Sequence, residues 1–103
     1  MPTESYEFRG QSFEWDRDKN LRNIEKHGIT FKMAALAFFD PNAEAYEDEG
    51  HSHDEDRFII IGFGENNKIM TVCHCYREDE KIRIISARKA TKPEEELYGG
   101  AFQ

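Results

Sequence analysis

The sequence predicts a single α+β domain over residues 1–103, with two N-terminal helices packed on a three- to four-stranded antiparallel sheet and a C-terminal helix. Three observations carry the prediction. A capped run of helix formers lies between Asp16 and Gly28. Three strand-like runs joined by short polar links lie between Arg57 and Ala87. A Thr-x-x-Glu helix start stands at Thr91.

Residues 1–12 read as a polar start with a short extended piece at Tyr6 and Phe8, and Phe13-Glu14-Trp15 alternates as a brief strand. Asp16 is placed to N-cap a helix over Arg17–His27, because its carboxylate accepts from the free N–H groups of the first turn. Gly28 stands at the C-cap, where a left-handed conformation costs glycine little, and Lys26 and His27 complement the negative end of the helix dipole. Thr30 caps a second helix, about Phe31 to Phe39, which Asp40-Pro41-Asn42 ends.

The acidic stretch Glu44–Asp56 includes a short strand at Ala45–Glu47. The runs Arg57–Phe63, Lys68–Tyr76 and Lys81–Ala87 then follow as an antiparallel meander. In the last run, alternation puts Ile82, Ile84 and Ser86 on one face and Arg83, Ile85 and Ala87 on the other. Thr91-Lys92-Pro93-Glu94 opens the final helix with a capping box and a proline in the first turn.

Composition fits a packed domain with a heavily charged surface: 38% hydrophobic, 34% charged and 13% aromatic residues. No apolar run approaches the about 18 residues of a membrane span, and Met1–Gly10 lacks the pattern of a signal peptide, so a cytoplasmic location and no membrane partner are expected. The net charge of −7 argues against nucleic-acid binding by the whole surface; any polyanion site must be a local basic patch. Lys and Arg collect in Arg17–Lys26 and Lys81–Lys92.

Cys73 and Cys75 are two apart on a strand, which suits reduced thiols better than a disulfide. With His74, His51 and His53 they form too sparse a set for a zinc site, and neither a metal nor a cofactor is expected. His51-x-His53 with Asp54 and Asp56 reads as a solvated loop. Asn20, Asn23 and His27 share one side of the first helix, flanked by Lys19 and Arg22. His27 reads either as a helix cap or satisfied histidine, or as a general acid–base. Arg83, Arg88, Arg57 and Arg77 lie on or beside the last strands, and each suits either a bidentate phosphate contact or a surface ion pair.

Several phrases occur together: Phe13-Glu14-Trp15-Asp16, Lys26-His27-Gly28-Ile29-Thr30-Phe31, Ala37-Phe38-Phe39-Asp40, Asp56-Arg57-Phe58, and Ile82-Arg83-Ile84-Ile85-Ser86-Ala87-Arg88-Lys89-Ala90 with Tyr98. In this order they closely resemble the BrnT family of type II toxins, over about Phe13 to Tyr98. The resemblance implies a RelE/ParE-like fold and a bacterial ribonuclease that depresses translation. It also implies neutralisation by BrnA, a ribbon-helix-helix antitoxin through which alone operator DNA is bound. Members of this superfamily are usually basic, which this chain is not.

On that resemblance the RNA substrate is cut without metal. Arg83 and Arg88 are expected to stabilise the phosphate, with Lys19 and Arg57 in support, His27 as acid–base, and Tyr76 bonding to or stacking on a base. Arg77 and Lys89 complete the expected RNA contacts. The alternative is a non-catalytic partner that binds the antitoxin and modulates operon repression.

Overall fold

A computed structural model describes residues 2–48, 50 and 56–99. The expected loop histidines His51 and His53, and Asp54, lie outside the described residues. The elements are β1 (Thr3–Phe8), β2 (Gln11–Asp16), α1 (Arg17–His27), α2 (Phe31–Ala35) continued by a 3-10 turn (Leu36–Phe39), β3 (Glu44–Glu47), β4 (Phe58–Phe63), β5 (Ile69–Tyr76), β6 (Ile82–Lys89) and α3 (Lys92–Gly99). No described helix is long and apolar enough to cross a membrane.

The sheet corrects the expected strand count and direction. It has six strands in the order β1-β2-β6-β5-β4-β3, and β2 runs parallel to β6 while every other pair is antiparallel. The first extra strand comes from the polar start. Arg9 and Gly10 both take positive φ, 51° and 82°, which makes a two-residue hairpin turn and folds β1 onto β2. Trp15 Nε1 then donates to Glu4 Oε1 across the pair at 2.8 Å. The parallel pairing joins strands separated by most of the chain, at Phe13 with Ile82 and Glu14 with Arg83.

The helix caps form as their chemistry dictates. Asp16 accepts from the N–H groups of Asp18 and Lys19 at 2.8 and 3.2 Å, and these bonds chiefly hold its carboxyl below the usual range. Gly28 closes α1 with φ 69° and donates to Ile24 O at 2.8 Å. Thr30 Oγ1 accepts from Met33 N at 3.0 Å, and Asp40 ends the following 3-10 turn.

α1 and α2 cover one face of the sheet. The core there joins Phe13 and Trp15 of β2, Ile82, Ile84 and Ala87 of β6, Met70 and Val72 of β5, and Phe31, Ala34 and Ala35 of α2. At Gly62 the chain packs against backbone: a Cβ there would lie 2.9 Å from Ala37 O. His74 is also buried on this face, at 1% exposure, with Phe38, Phe58 and Tyr76 around its ring.

A bulge corrects the expected face assignment in β6. Cys73 pairs with Ser86 and His74 with Ile84, so Ile85 has no partner in β5. The extra residue reverses the alternation: Ala87 joins Ile82 and Ile84 in the core, and Ser86 turns to the opposite face. Past this point β2 has left the sheet and α1 borders β6 instead. Buried Asn23 ties the two, accepting from Ala87 N at 3.2 Å and donating to Ile29 O at 2.9 Å.

Candidate functional site

The face of the sheet away from α1 and α2 carries a different set of side chains. Thr71 and Cys73 of β5, Ser86 and Arg88 of β6, and Arg57 before β4 point the same way. With Asp48 after β3 they line a cavity of about 260 Å³, whose apolar lining is Ile59 and Ile85. α3 packs over β4, where Tyr98 meets the ring of Phe63 edge-on and donates from its hydroxyl to Asp40 Oδ2 at 2.8 Å. That helix begins beside the cavity, because Glu94 in its first turn grips Arg88.

Arg88 Nη1 and Nη2 donate to Glu94 Oε1 and Oε2 at 2.7 and 2.8 Å, and Nη1 also reaches Lys89 O at 3.4 Å. A guanidinium has five N–H donors. Glu94 takes the two at its end and Lys89 a third. Nε–H and one Nη2–H have no acceptor among the described residues. These two point the same way and form the second edge by which arginine binds a phosphate or carboxylate in two parallel bonds. The ion pair therefore occupies one edge of the guanidinium and leaves the other open among the described residues.

The electrostatics follow from this pairing. The Arg88 bonds, helped by Thr91 N and Thr71, hold the Glu94 carboxyl at about 2, and Glu94 in turn raises Arg88. Burial, with the charge of Glu94 beside it, pushes the Tyr46 phenol up, so it keeps its proton at neutral pH. Burial and then Asp48 raise the Cys73 thiol, against the pull of Arg57 and Lys19. Cys73 is thus a neutral wall residue, not a thiolate nucleophile. Neither Cys73 nor Cys75 is in a disulfide.

The structure brings together two of the eight residues expected at the site. Arg57 and Arg88 line the cavity; Lys19, on the first turn of α1, does not line it, though its charge acts weakly on Cys73. Arg83 is elsewhere: Glu14 holds it across the β2–β6 pair, and Lys81 lies 3.7 Å from the same carboxylate. Tyr76 rises from the core side of the sheet end, against Phe58 and His74, so it does not face the cavity. Arg77 lies at that end, lining a depression with Glu14, Glu78 and Lys81. Lys89 is exposed past Arg88, with its side chain alternating away from the cavity face. His27 is exposed on the last turn of α1 and does not line the cavity.

Sequence reasoning missed Glu94, Tyr46, Asp48 and Ser86. Glu94 was legible only as half of a capping box. It does fill that role, accepting from Thr91 N at 2.8 Å, but the spacing gave no sign that it also holds Arg88. The bulge, which alternation in the sequence does not show, puts Ser86 on the cavity face.

Comparison with known proteins bears on these residues. No curated protein sequence matches the chain. Residues 15–94 match the family described as "Ribonuclease toxin, BrnT, of type II toxin-antitoxin system". Among solved structures, the chain is similar to the Brucella abortus ribonuclease toxin BrnT, determined at 1.1 Å. The two are 32% identical with a TM-score of 0.58, over 76% of this chain and 94% of the other. The matched span runs from Trp15 through Arg57, Arg88 and Glu94, and so contains every residue of the cavity. The chain belongs to the BrnT family of ribonuclease toxins of type II toxin–antitoxin systems.

Proposed function

We propose that this chain is a metal-independent endoribonuclease that inhibits translation and is neutralised by a BrnA-like ribbon-helix-helix antitoxin. The observation that carries the reading is the open Nε–Nη2 edge of Arg88 beside Arg57, in a cavity on an otherwise acidic molecule. Charge-assisted bonds from fixed arginines stabilise the added negative charge of a phosphate under in-line attack. Lys19, whose charge acts on Cys73 of the lining, adds positive field.

In this reading the ribose 2′-oxygen attacks the adjacent phosphorus and the bond to the 5′-oxygen breaks. A 2′,3′-cyclic phosphate and a 5′-hydroxyl result. Asp48, in the lining, takes the 2′-hydroxyl proton. Tyr46, close enough to Arg88, Glu94 and Asp48 to be shifted by their charges and protonated at neutral pH, supplies one to the leaving oxygen. Arg83, Arg77 and Lys89 serve as outlying contacts to the RNA backbone, and His27 has no role in the chemical step.

The test is cleavage of single-stranded RNA by the purified chain in excess EDTA. Arg88→Ala is expected to lower the rate by about 100-fold or more, as loss of a transition-state donor does. Arg83→Ala, outside the cavity, is expected to cost less than about tenfold. Equal rates for Arg88→Ala and the parent would remove the cavity as the site of cleavage.

A second reading, a non-catalytic antitoxin-binding partner, is favoured by the net charge of −7 and by the carboxylate on each of Arg83 and Arg88. Growth arrest on expression of the chain alone, rescued by its antitoxin, decides for the toxin.

A further inference from the structure

We propose that Glu94 is a positioning residue, which chelates the end of the Arg88 guanidinium and so turns its second edge toward a phosphate in the cavity. The inference rests on reading the cavity as a phosphate site, and deepens it.

An unrestrained arginine at a strand end samples many rotamers, and a donor that must be ordered at the moment of reaction loses effectiveness. Here the anchor is firmer than the group it holds. The Glu94 side chain is 14% exposed against 41% for Arg88. Glu94 Oε1 also accepts from Thr91 N at 2.8 Å, the bond that fixes the carboxylate, while Glu94 N donates to Thr91 Oγ1 at 3.4 Å, a bond that caps the helix without touching the carboxylate. The buried Thr71 hydroxyl, with no hydrogen-bond partner in range among the described residues, stands close enough to help keep the carboxyl charged. Fixed from the backbone side, the carboxylate sets the plane of the guanidinium through two parallel bonds. The first turn of α3 thus does two jobs with one side chain: it starts the helix and aims the arginine.

These two jobs can be separated. Thr91→Ala removes the hydroxyl cap of α3 but keeps the backbone N–H that holds Glu94. Glu94→Gln keeps a side chain of the same shape, but one with a single acceptor atom, which cannot take the two parallel bonds from Arg88. Single-turnover cleavage of a short single-stranded RNA in EDTA is compared for the parent, Thr91→Ala, Glu94→Gln and Arg88→Ala. Thermal unfolding and the Nε–H NMR resonance of Arg88 are followed in parallel.

Glu94→Gln is expected to lower the rate constant about 10- to 100-fold, the scale of a misplaced reacting contact. It should also broaden or shift the Arg88 Nε–H signal and weaken the response of that signal to inorganic phosphate. Thr91→Ala is expected to lower the melting temperature while keeping the rate within about twofold. Should Glu94→Gln fold poorly, Glu94→Asp, which retains the charge on a shorter arm, is expected to give an intermediate rate and the same NMR change.

An inactive Arg88→Ala alongside a fully active Glu94→Gln would overturn the positioning role and leave the cavity standing. Equal losses in Thr91→Ala and Glu94→Gln would overturn it too, reducing Glu94 to a helix cap. Full activity in Arg88→Ala would instead overturn the phosphate site on which the inference rests.

Discussion

His74 is a titratable group sealed inside the core, and its effect on stability can be worked out in advance. Its Nδ1 lies 3.2 Å from Val72 O, and a carbonyl only accepts, so Nδ1 carries the proton of the neutral ring. Phe38 meets the ring edge-on at 4.7 Å, and Phe58 and Tyr76 lie at 6.2 and 5.4 Å. Burial pushes the imidazole from the ordinary 6.5 down to about 4, partly offset by the Val72 bond. The unfolded chain therefore takes up a proton that the folded chain refuses. The contribution is complete above the unfolded value and is lost as pH falls from 6.5 toward about 4. Linkage gives a loss of about 2 kcal/mol between pH 7 and pH 5, and about 3 kcal/mol by pH 4. Asp16, Asp40 and Glu94, all held low, contribute in full above the ordinary carboxylate range and lose that contribution only as pH falls through and below it, so the interval from pH 7 to pH 5 isolates the histidine. Denaturant unfolding of the parent and of His74→Phe across that interval is the assay. The parent should lose about 2 kcal/mol more than the variant. Parallel curves, or a His74 ring signal titrating near 6.5, would refute the reasoning.

Two further substitutions probe how the sheet is closed. Asn23→Ala leaves Ala87 N and Ile29 O buried without their partner and is expected to cost about 2–4 kcal/mol in denaturant unfolding. Gly62→Ala forces a Cβ to within 2.9 Å of Ala37 O. It is expected to cost about 1–3 kcal/mol, read from the same transition.

The parts of the fold that were legible in the sequence are those set by neighbours in the chain. Asp16, Gly28 and Thr30 mark helix ends through bonds that reach at most four residues, so α1 begins and ends where its caps say. The hairpin partners β4, β5 and β6 follow from alternation and short links. The illegible parts depend on distant groups. Nothing near Phe13 announces Ile82 as its parallel neighbour, and nothing near Ser86 announces a bulge that is defined only against Cys73. β1 was half visible, in Tyr6 and Phe8, but its turn uses Arg9 in a conformation that most residues avoid.

The same contrast holds for the candidate site. Arg88 and Arg57 were legible as cations. Which of the arginines would share a cavity was not, because Glu14 of β2 meets Arg83 away from it and Glu94 of α3 meets Arg88 at its edge. Place in the fold, rather than residue type, separates the two.

The last strand to be synthesised, β6, stands between β2 and β5 in the sheet. Until it arrives, the early hairpin and the later strands share no hydrogen-bonded neighbour, and the core that holds Phe13 and Trp15 lacks Ile82, Ile84 and Ala87. Arg88 and Glu94 come later still. A growing or truncated polypeptide that stops short of Ile82 therefore carries neither a closed core nor the guanidinium on which cleavage is proposed to depend.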